Sequence, residues 1–486
     1  MSFSKTAEGV LKKVSLEEVL AYREKRVCRR QVLLSEYSLP LACLGLNIPG
    51  EYKDFPWARR SFHEEIEIFM LALEAEGLSA AHSENEVENA GYTAYISVNA
   101  EPVRLKTIAL RIEQTHPLGR LFDIDIFEST GKKLSRSNGS MAEGSGAEPR
   151  QCLICGGNGF ICGRSRAHSP DELRRAVLGI MENWMRQKLG DRICSAAVWA
   201  VMSEAAVTPK PGLVDRNNSG AHKDMNFFTF IDSLPVLLPW FRSCALAGFD
   251  SAADDNGSTA DLSTAARSGV NEKPVSLFKA LRPPGKITEV LMKRAAGGVN
   301  SYRGYIFSIG ILSAAYGRLF RNSEKPDLAG ILDFVKAMTC TLGEDFSIAG
   351  NVSSHGEAVY ATSGIQGIRG EVSRGFPTVT EYALPLLRRL LKEGYSLNDA
   401  GTAVLLVLLA HAEDTNMIHR GGRELFGSIQ QDLQALFSAE PDIGAILKKA
   451  AVMDREFIAG NLSPGGSADL LGIAFFLYRL EQVPSA

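Results

Sequence analysis

With 486 residues the chain is too long for one ordinary core, and at roughly 100–200 residues per domain it predicts two domains. Hydrophobic residues at 45% and charged residues at 22% describe a globular chain and exclude a disordered, collagenous or coiled-coil one. The 53 Lys and Arg nearly balance 56 Asp and Glu, for a net charge of −3, so no bulk positive field draws the chain to nucleic acid or to an acidic membrane surface.

In chain order, Leu16 to Leu34 carries apolar residues at helical spacing among many arginines, and Arg59 to Leu73 reads as a second amphipathic helix. Tyr92 to Val98, Arg104 to Arg111 and Arg120 to Phe127 are short, β-rich and partly alternating, which predicts three strands of one sheet. Residues 129–150, rich in Gly and Ser and nearly devoid of apolar side chains, predict a mobile loop, and a helix from Pro170 to Met185 follows. Beyond about Asp191 strand signals almost vanish. Helical stretches such as 192–206, 225–247, 303–319, 327–341, 380–393, 398–412 and 467–481 are separated by Gly/Pro-rich loops. The expected organisation is multidomain: an α+β domain over 1–185 and an all-α domain over 188–486, with a flexible, weakly hydrophobic insertion at 250–276. The longest uninterrupted apolar run, Ala403 to Ala410, falls short of the ~18–20 residues that span a bilayer. The N-terminus lacks the apolar core of an export signal, so a cytoplasmic location with no membrane partner is expected. Eight cysteines in such a chain read as thiols or metal ligands, not disulfides.

No G-x-x-x-x-G-K-[ST] loop and no G-x-S-x-G elbow occurs, and the glycines of Gly156 to Gly163 miss the dinucleotide fingerprint by a residue. Chemistry is carried instead by smaller signals. Asp123 and Asp125 lie two apart on an expected strand and point to one face, with Phe122, Ile124 and Ile126 on the other. Paired carboxylates suit Mg²⁺, which takes one or two of them and completes its shell with water and phosphate oxygens. Gly119-Arg120 just upstream lets a phosphate approach the backbone. The competing reading is an edge strand with an acidic solvent face. Cys152, Cys155, Cys162 and His168 have spacings that a tetrahedral zinc site can use; the alternative is small core thiols with basic side chains facing phosphate.

In the second half, a Pro-stiffened loop carries Lys210, Asp215, Arg216, His222, Lys223 and Asp224 within a short span between two apolar helices. Further Gly-rich charged loops hold Arg303, then Arg369 and Glu371, then Asp414 and Arg420, and a last one ends in Asn461-Leu-Ser-Pro-Gly-Gly-Ser-Ala-Asp469. Glycines let backbone N–H groups approach a ligand, and arginines grip phosphate oxygens. Any one such loop is explained by a glycine cap beside a solvated charge; together they point to a polyphosphate site. Lys210, Arg216, Lys223, Arg303, Arg369 and Arg420 are the candidate polyphosphate cradle. Glu204, Asp215, Asp224, Glu371 and Asp414 are candidates for the Mg²⁺ ligands and the base, with structural ion pairs as the alternative for each.

Taken in order, Arg23-Glu-Lys-Arg26, Asn47-Ile-Pro-Gly50 with Lys53, His116 to Asp125 and Arg150 to Cys155 resemble the holo-citrate-lyase synthase family. That resemblance implies transfer of phosphoribosyl-dephospho-CoA onto a serine of the apo-citrate lyase acyl-carrier (gamma) subunit, with pyrophosphate release. It makes Arg23, Arg26, Asn47, Lys53 and Arg120 substrate contacts. A nucleotidyltransferase-like fold is an analogy of chemistry. Residues 192–480, through PKPGLVD, GAHKDM, GGVN, IRGE with GFP, DTN with RGG, and SPGGSADLL, resemble the triphosphoribosyl-dephospho-CoA synthase family. That family implies attack of the 2′-hydroxyl of 3′-dephospho-CoA on the ribose C1 of ATP, with loss of adenine. The two resemblances describe consecutive steps, so a bifunctional transferase is expected. One departure stands out: after GGVN the family pattern has Thr-His-Lys-Gly, whereas this chain has Ser301-Tyr302-Arg303-Gly304, and a tyrosine cannot replace histidine as a base near neutral pH. The same chemistry would serve malonate decarboxylase, although Asn47-Ile-Pro-Gly50 and the Cys segment favour citrate lyase. A non-catalytic zinc adaptor that docks on a carrier protein is a rival of another class.

Overall fold

The computed structural model describes residues 12–135, 150–253, 272–342 and 365–482. Most of the loop expected at 129–150, and most of the insertion expected at 250–276, lie outside the described residues. The chain divides into two compact units, Met1–Gln187 and Lys188–Ser485, and the division falls inside one helix.

The first unit opens with α1 (Leu16–Tyr37), started by a capping box in which Ser15 and Glu18 satisfy each other's backbone N–H groups. Then come β1 (Leu41–Leu44), α2 (Pro56–Ala75), β2 (Ala80–Glu88), β3 (Gly91–Val98), α3 (Pro102–Thr115), β4 (Asp125–Phe127), the short α4 (Gly159–Ser165), and α5 (Pro170–Ala206), which holds the division. The sheet is antiparallel in the order β2-β3-β1-β4. Central β1 is buried throughout, and Leu33 and Leu34 of α1 pack with Leu41, Cys43, Tyr95 and Phe127.

Two expectations need correction here. Arg104 to Arg111 is helix: Pro102 sits in the first turn, and Leu105, Ile108, Ala109 and Ile112 are buried at helical spacing. The strand expected over Arg120 to Phe127 is regular only from Asp125. Its register against β1 nevertheless extends back, since Cys43 faces Asp125, Leu46 bridges Phe122, and the Asp123 N–H donates to Gly45 O at 2.7 Å.

The second unit is mostly helical. After the end of α5 come α6 (Phe227–Ser251), α7 (Glu272–Ala295), α8 (Arg303–Phe320), α9 (Leu328–Thr339) and α10 (Ile368–Ser373). A π-helical turn at Val379–Ala383 leads into α11 (Leu384–Lys392), followed by α12 (Leu397–His411), α13 (Thr415–Gly421), α14 (Arg423–Ser438), α15 (Ile443–Ala459) and α16 (Gly465–Glu481). From Ala400 to Ala410 every residue of α12 is buried, which accounts for its unbroken apolar run. Helix α6 is by length and composition apolar enough to cross a membrane, a property the search for unbroken apolar runs did not detect. In this fold it packs against α7 and α8, burying Leu234, Leu237, Trp240, Phe241, Cys244 and Phe249.

Helices α6 and α8 meet at backbone distance. A methyl group at Gly248 would drive into the Ala314 carbonyl, and one at Gly317 into the Ala245 carbonyl. Gly248→Ala is therefore expected to cost about 1–3 kcal/mol through overpacking, read as a lower unfolding midpoint in a denaturant titration followed by tryptophan fluorescence.

Candidate functional site

In the second unit a cavity of about 480 Å³ is walled by α6, α7, α8, α10 and the start of α16. Four cations line it, Arg282, Lys286, Arg303 and Arg369, with four carboxylates, Glu289, Glu371, Glu413 and Asp469. Trp240, Phe278 and Phe307 add aromatic surface, and Asn300, Gln366 and Asn416 add amides. Arg282, Lys286 and Glu289 lie at i, i+4 and i+7 of α7, so one helix face delivers all three. Arg303 opens α8, where its Nε lies 3.3 Å from Glu289. Glu371 accepts from the Thr378 hydroxyl at 2.6 Å and the Thr378 N–H at 3.2 Å, while burial raises its proton affinity. Glu413 accepts from the N–H groups of Gln366 and Gly367 at 3.2 and 3.3 Å.

Asp469 lies in the first turns of α16 with its carboxylate against Gly304, whose missing side chain makes room for it. Burial holds its pKa well above the ordinary range, reinforced by the negative charges of Glu204 and Asp414. Beside it, Glu204 and Lys210 form a buried ion pair at 2.6 Å. Asp414 caps α13 and accepts from the N–H groups of Asn416, Met417 and Ser467 and from the Ser467 hydroxyl, at 2.8–3.1 Å. Those bonds oppose the rise in proton affinity that burial imposes on it.

The 208–224 loop is braced from elsewhere in the unit. Asp215 is buried and accepts from Asn217 N and Asn218 N, Gly212 N donates to Asp454, and His222 Nε2 lies 2.8 Å from the Ser463 hydroxyl. Burial and the Arg420 charge lower the His222 pKa. Arg216 donates to Asn398 at 2.8 Å, and Arg420 to Asn461.

In the first unit, Asp123 and Asp125 are partly exposed while Phe122, Ile124 and Ile126 are buried. Asp123 is 3.3 Å from Arg150, which also pairs with buried Glu113 at 2.8 Å; Asp125 is 2.6 Å from Lys133. Glu65 of α2 is fully buried next to Asp123. Desolvation, with the Asp123 charge added, raises its pKa well above the carboxylate range, and its Oε2 has no hydrogen-bond partner among the described residues. Arg120 donates to Gln151 O, Lys53 to Ile48 O, and Arg26 lies over the Tyr22 ring; burial and the nearby Arg23 charge lower the Lys53 pKa. The Asn47 N–H is held by Leu121 O at 2.7 Å.

Cys152, Cys155, Cys162 and His168 bring one ligand atom each to within 4.8 Å of one another. N–H groups of Cys155 and Ile154 hold the Cys152 thiol down to about 6, whereas the hydrogen bond with Cys155 pushes Cys162 up to about 11. His168 Nε2 is buried and has no hydrogen-bond partner among the described residues.

Residues 14–184 match the family described as apo-citrate lyase phosphoribosyl-dephospho-CoA transferase, and residues 190–485 match ATP:dephospho-CoA triphosphoribosyl transferase. Over 485 residues the chain is 31% identical to protein CitXG of Haemophilus influenzae, covering 96% of each. Over 491 residues it is 30% identical to protein CitXG of Leuconostoc mesenteroides subsp. cremoris, covering 96% of this chain and 97% of that one. The chain belongs to the CitXG family. Its second region is also 37% identical over 307 residues to the 2-(5′′-triphosphoribosyl)-3′-dephosphocoenzyme-A synthase of Pectobacterium atrosepticum, covering 63% of this chain and 93% of that one. It is a bifunctional transferase of citrate lyase prosthetic-group synthesis: a triphosphoribosyl-dephospho-CoA synthase followed by the apo-citrate lyase transfer step.

For this CitXG-family chain the cavity gathers Arg303, Arg369 and Glu371 from the residues singled out in the sequence. Lys210, Asp215, Arg216, His222, Lys223, Asp224, Asp414 and Arg420 do not line it. Lys210, Asp215 and Asp414 are occupied as loop and helix anchors, a duty that only tertiary contacts reveal. Tyr302, the departure from the family pattern, also faces away from the cavity: it is buried and donates to the Phe230 carbonyl at 3.1 Å. The sequence reading passed over Arg282, Lys286, Glu289, Glu413 and Asp469. The i, i+4, i+7 spacing of the first three was a usable signal, masked by Pro283-Pro284. Gly304→Ala would push a methyl into the Asp469 carboxylate. It is expected to lower the rate of adenine release at least tenfold while the unfolding midpoint moves little, checked by initial rates beside a thermal melt.

Proposed function

We propose that the cavity of the second unit binds ATP with Mg²⁺ together with the ribose of 3′-dephospho-CoA. The observation that carries this is one cavity wall combining Arg282, Lys286, Arg303 and Arg369 with carboxylates and aromatic surface. The cations suit a triphosphate, and Phe278, Phe307 and Trp240 suit a purine face. Glu371 and Glu413 are the oxygen donors placed to share Mg²⁺ with the phosphates, which spreads the negative charge of the triphosphate.

In the first unit, Asp123 and Asp125 are the proposed Mg²⁺ ligands for transfer to a serine of the gamma acyl-carrier subunit, with Arg120, Lys53, Arg23, Arg26 and Asn47 along the substrate path. Hard carboxylate oxygens fit that ion, and the unpaired buried Glu65 oxygen beside Asp123 fits a cation close by. Carboxylates on a strand and pyrophosphate loss support the nucleotidyltransferase-like reading as chemistry, not as topology. The Cys152, Cys155, Cys162 and His168 cluster suits structural Zn²⁺: three sulfurs and an unpartnered imidazole nitrogen are a donor set that this ion prefers. A cytoplasmic location belongs to the same reading, because ATP and dephospho-CoA are its substrates.

The test incubates the full chain with ATP, dephospho-CoA and Mg²⁺, follows adenine, weighs the product, and then adds apo-carrier from citrate lyase or from malonate decarboxylase. Asp123→Ala or Asp125→Ala is expected to abolish carrier loading while adenine release persists, and Arg369→Ala to do the reverse. Loading by the Asp123 variant would overturn the metal assignment. Metal analysis of the purified chain is expected to find about one zinc per chain, lost in Cys155→Ser.

A further inference from the structure

We propose that Asp469 is the catalytic base of the second unit, the group that takes the proton from the attacking 2′-hydroxyl of 3′-dephospho-CoA. The inference rests on the synthase reaction assigned to that unit and goes beyond it by naming the atom that receives the proton.

The cavity holds four carboxylates, and three are already engaged. Glu289 is paired with Arg303 through one oxygen, each oxygen of Glu371 accepts one hydrogen bond from Thr378, and Glu413 accepts two backbone N–H groups on one oxygen, which orients the last two and leaves them lone pairs for the proposed Mg²⁺. Among the described residues Asp469 has no hydrogen bond and no ion pair, although it lines the same cavity. Its lone pairs are therefore available to a substrate hydroxyl, the geometric requirement for a base. Three features hold it ready. The absent side chain at Gly304 lets the carboxylate lie against the first turn of α8, the positive end of that helix. The Ala468 carbonyl next to it accepts from the Tyr305 hydroxyl at 3.0 Å, fixing the backbone that carries it. The adjoining residue on α8, Arg303, also lines the cavity, so a cation for phosphate and a carboxylate for the hydroxyl enter from touching positions.

The charged and titratable groups that act on Asp469 are Glu204, with its partner Lys210, Asp414 and Tyr305, while Arg303 and Arg369 line the same cavity. Burial and the two neighbouring carboxylates raise its proton affinity well above that of an ordinary carboxylate. The step balances as follows. The dephospho-CoA O2′ forms a bond to the ribose C1 of ATP, and the C1–N9 bond breaks with its electron pair leaving on adenine. The hydroxyl proton passes to Asp469, which later returns it to solvent, while the departing adenine takes one proton from solvent. No oxidant or further reactant is required.

The experiment measures adenine release by the full chain with Mg²⁺, ATP and dephospho-CoA for wild type, Asp469→Asn, Asp469→Glu and Asp469→Ala. Asp469→Asn keeps the shape and removes the basicity, so kcat is expected to fall by about 10²–10⁴-fold with KM for ATP changed less than about threefold. Added formate is expected to restore part of the Asp469→Ala rate. Wild-type kcat is expected to decline as pH falls through the raised pKa of Asp469, because protonation disables the base; the residual Asp469→Asn rate lacks that acidic limb. An Asp469→Asn kcat within about tenfold of wild type, a loss carried by KM, or an acidic limb that survives the substitution overturns the proposal. Should Asp469→Asn fail to fold, the Asp469→Glu rate and the formate response of Asp469→Ala decide in its place, and no rescue overturns it. Carrier loading from premade triphosphoribosyl-dephospho-CoA, a property of the first unit, is expected to be unchanged in all three variants. A wild-type chain that releases no adenine sinks the reading of the second unit, and the base assignment falls with it.

Discussion

Helix α8 must be approachable to backbone distance at both of its ends, and the second unit depends on that constraint. At its C-terminal end Gly317 lets α6 lie against it, and Gly248 on α6 returns the same close approach. Side chains there would part α6 from α8, because interiors at this density have no slack to absorb a methyl group. At its N-terminal end Gly304 makes the same allowance for the Asp469 carboxylate. One rigid helix thus connects the packed interior with the cavity wall. The α6 face that it clamps carries Trp240, whose Nε1 donates to the Ile306 carbonyl at 2.9 Å and whose ring lines the cavity.

Charge buried near that helix end is arranged in a way that tolerates several carboxylates. Glu204 is neutralised by Lys210, and Asp414 is surrounded by three N–H groups and a hydroxyl, so neither is an uncompensated ion. What remains is their combined negative field on Asp469, which has no such donors. Residues that sit in no cavity thereby still bear on its chemistry. Tyr302 packs on the other side of that helix end. Position 302 turns inward to Phe230 and Tyr305, while its neighbours Arg303 and Gly304 face the cavity, so the departure from the family motif alters packing and leaves the cavity wall to the residues on either side of α8's first turn.

Element type was legible wherever periodicity and punctuation agreed. The apolar run of α12, the helical spacing of α1 and the partial alternation in β3 all follow from local sequence. Reading failed where tertiary context decides. Arg104 to Arg111 alternates as well as a strand does, yet Pro102 and the buried spacing of Leu105, Ile108 and Ile112 make it helix. β2 was passed over because an edge strand has one wet face, and Ala80–Glu88 is correspondingly polar. Pro283-Pro284 reads as a break, yet α7 continues through it and brings Arg282, Lys286 and Glu289 to the cavity. For the site, sequence identified which loops carry charge but not which charges are spent on anchoring. Lys210 and Asp414 read in the sequence as charged loop residues like any other; their contacts with Glu204 and Ser467 appear only in the fold.

In the first unit a single arginine links Asp123 to the segment that enters the Cys3His cluster. Arg150 binds Asp123 and Glu113 and donates to the Phe122 carbonyl, and it stands two residues before Cys152, the first thiol of the Cys3His cluster. Arg120 donates to the intervening Gln151 carbonyl, and the Gly159 N–H to the Arg150 carbonyl. The segment entering the cluster is thereby tied to the carboxylate strand at both of its residues. These bonds hold the short segment in place, and its position sets how closely the guanidinium approaches Asp123. A guanidinium at that distance competes with a divalent cation for the same carboxylate, since both are drawn by its charge and bind the same oxygens. The placement of Arg150 therefore couples the charge partner of Asp123 to the position of the Cys3His segment.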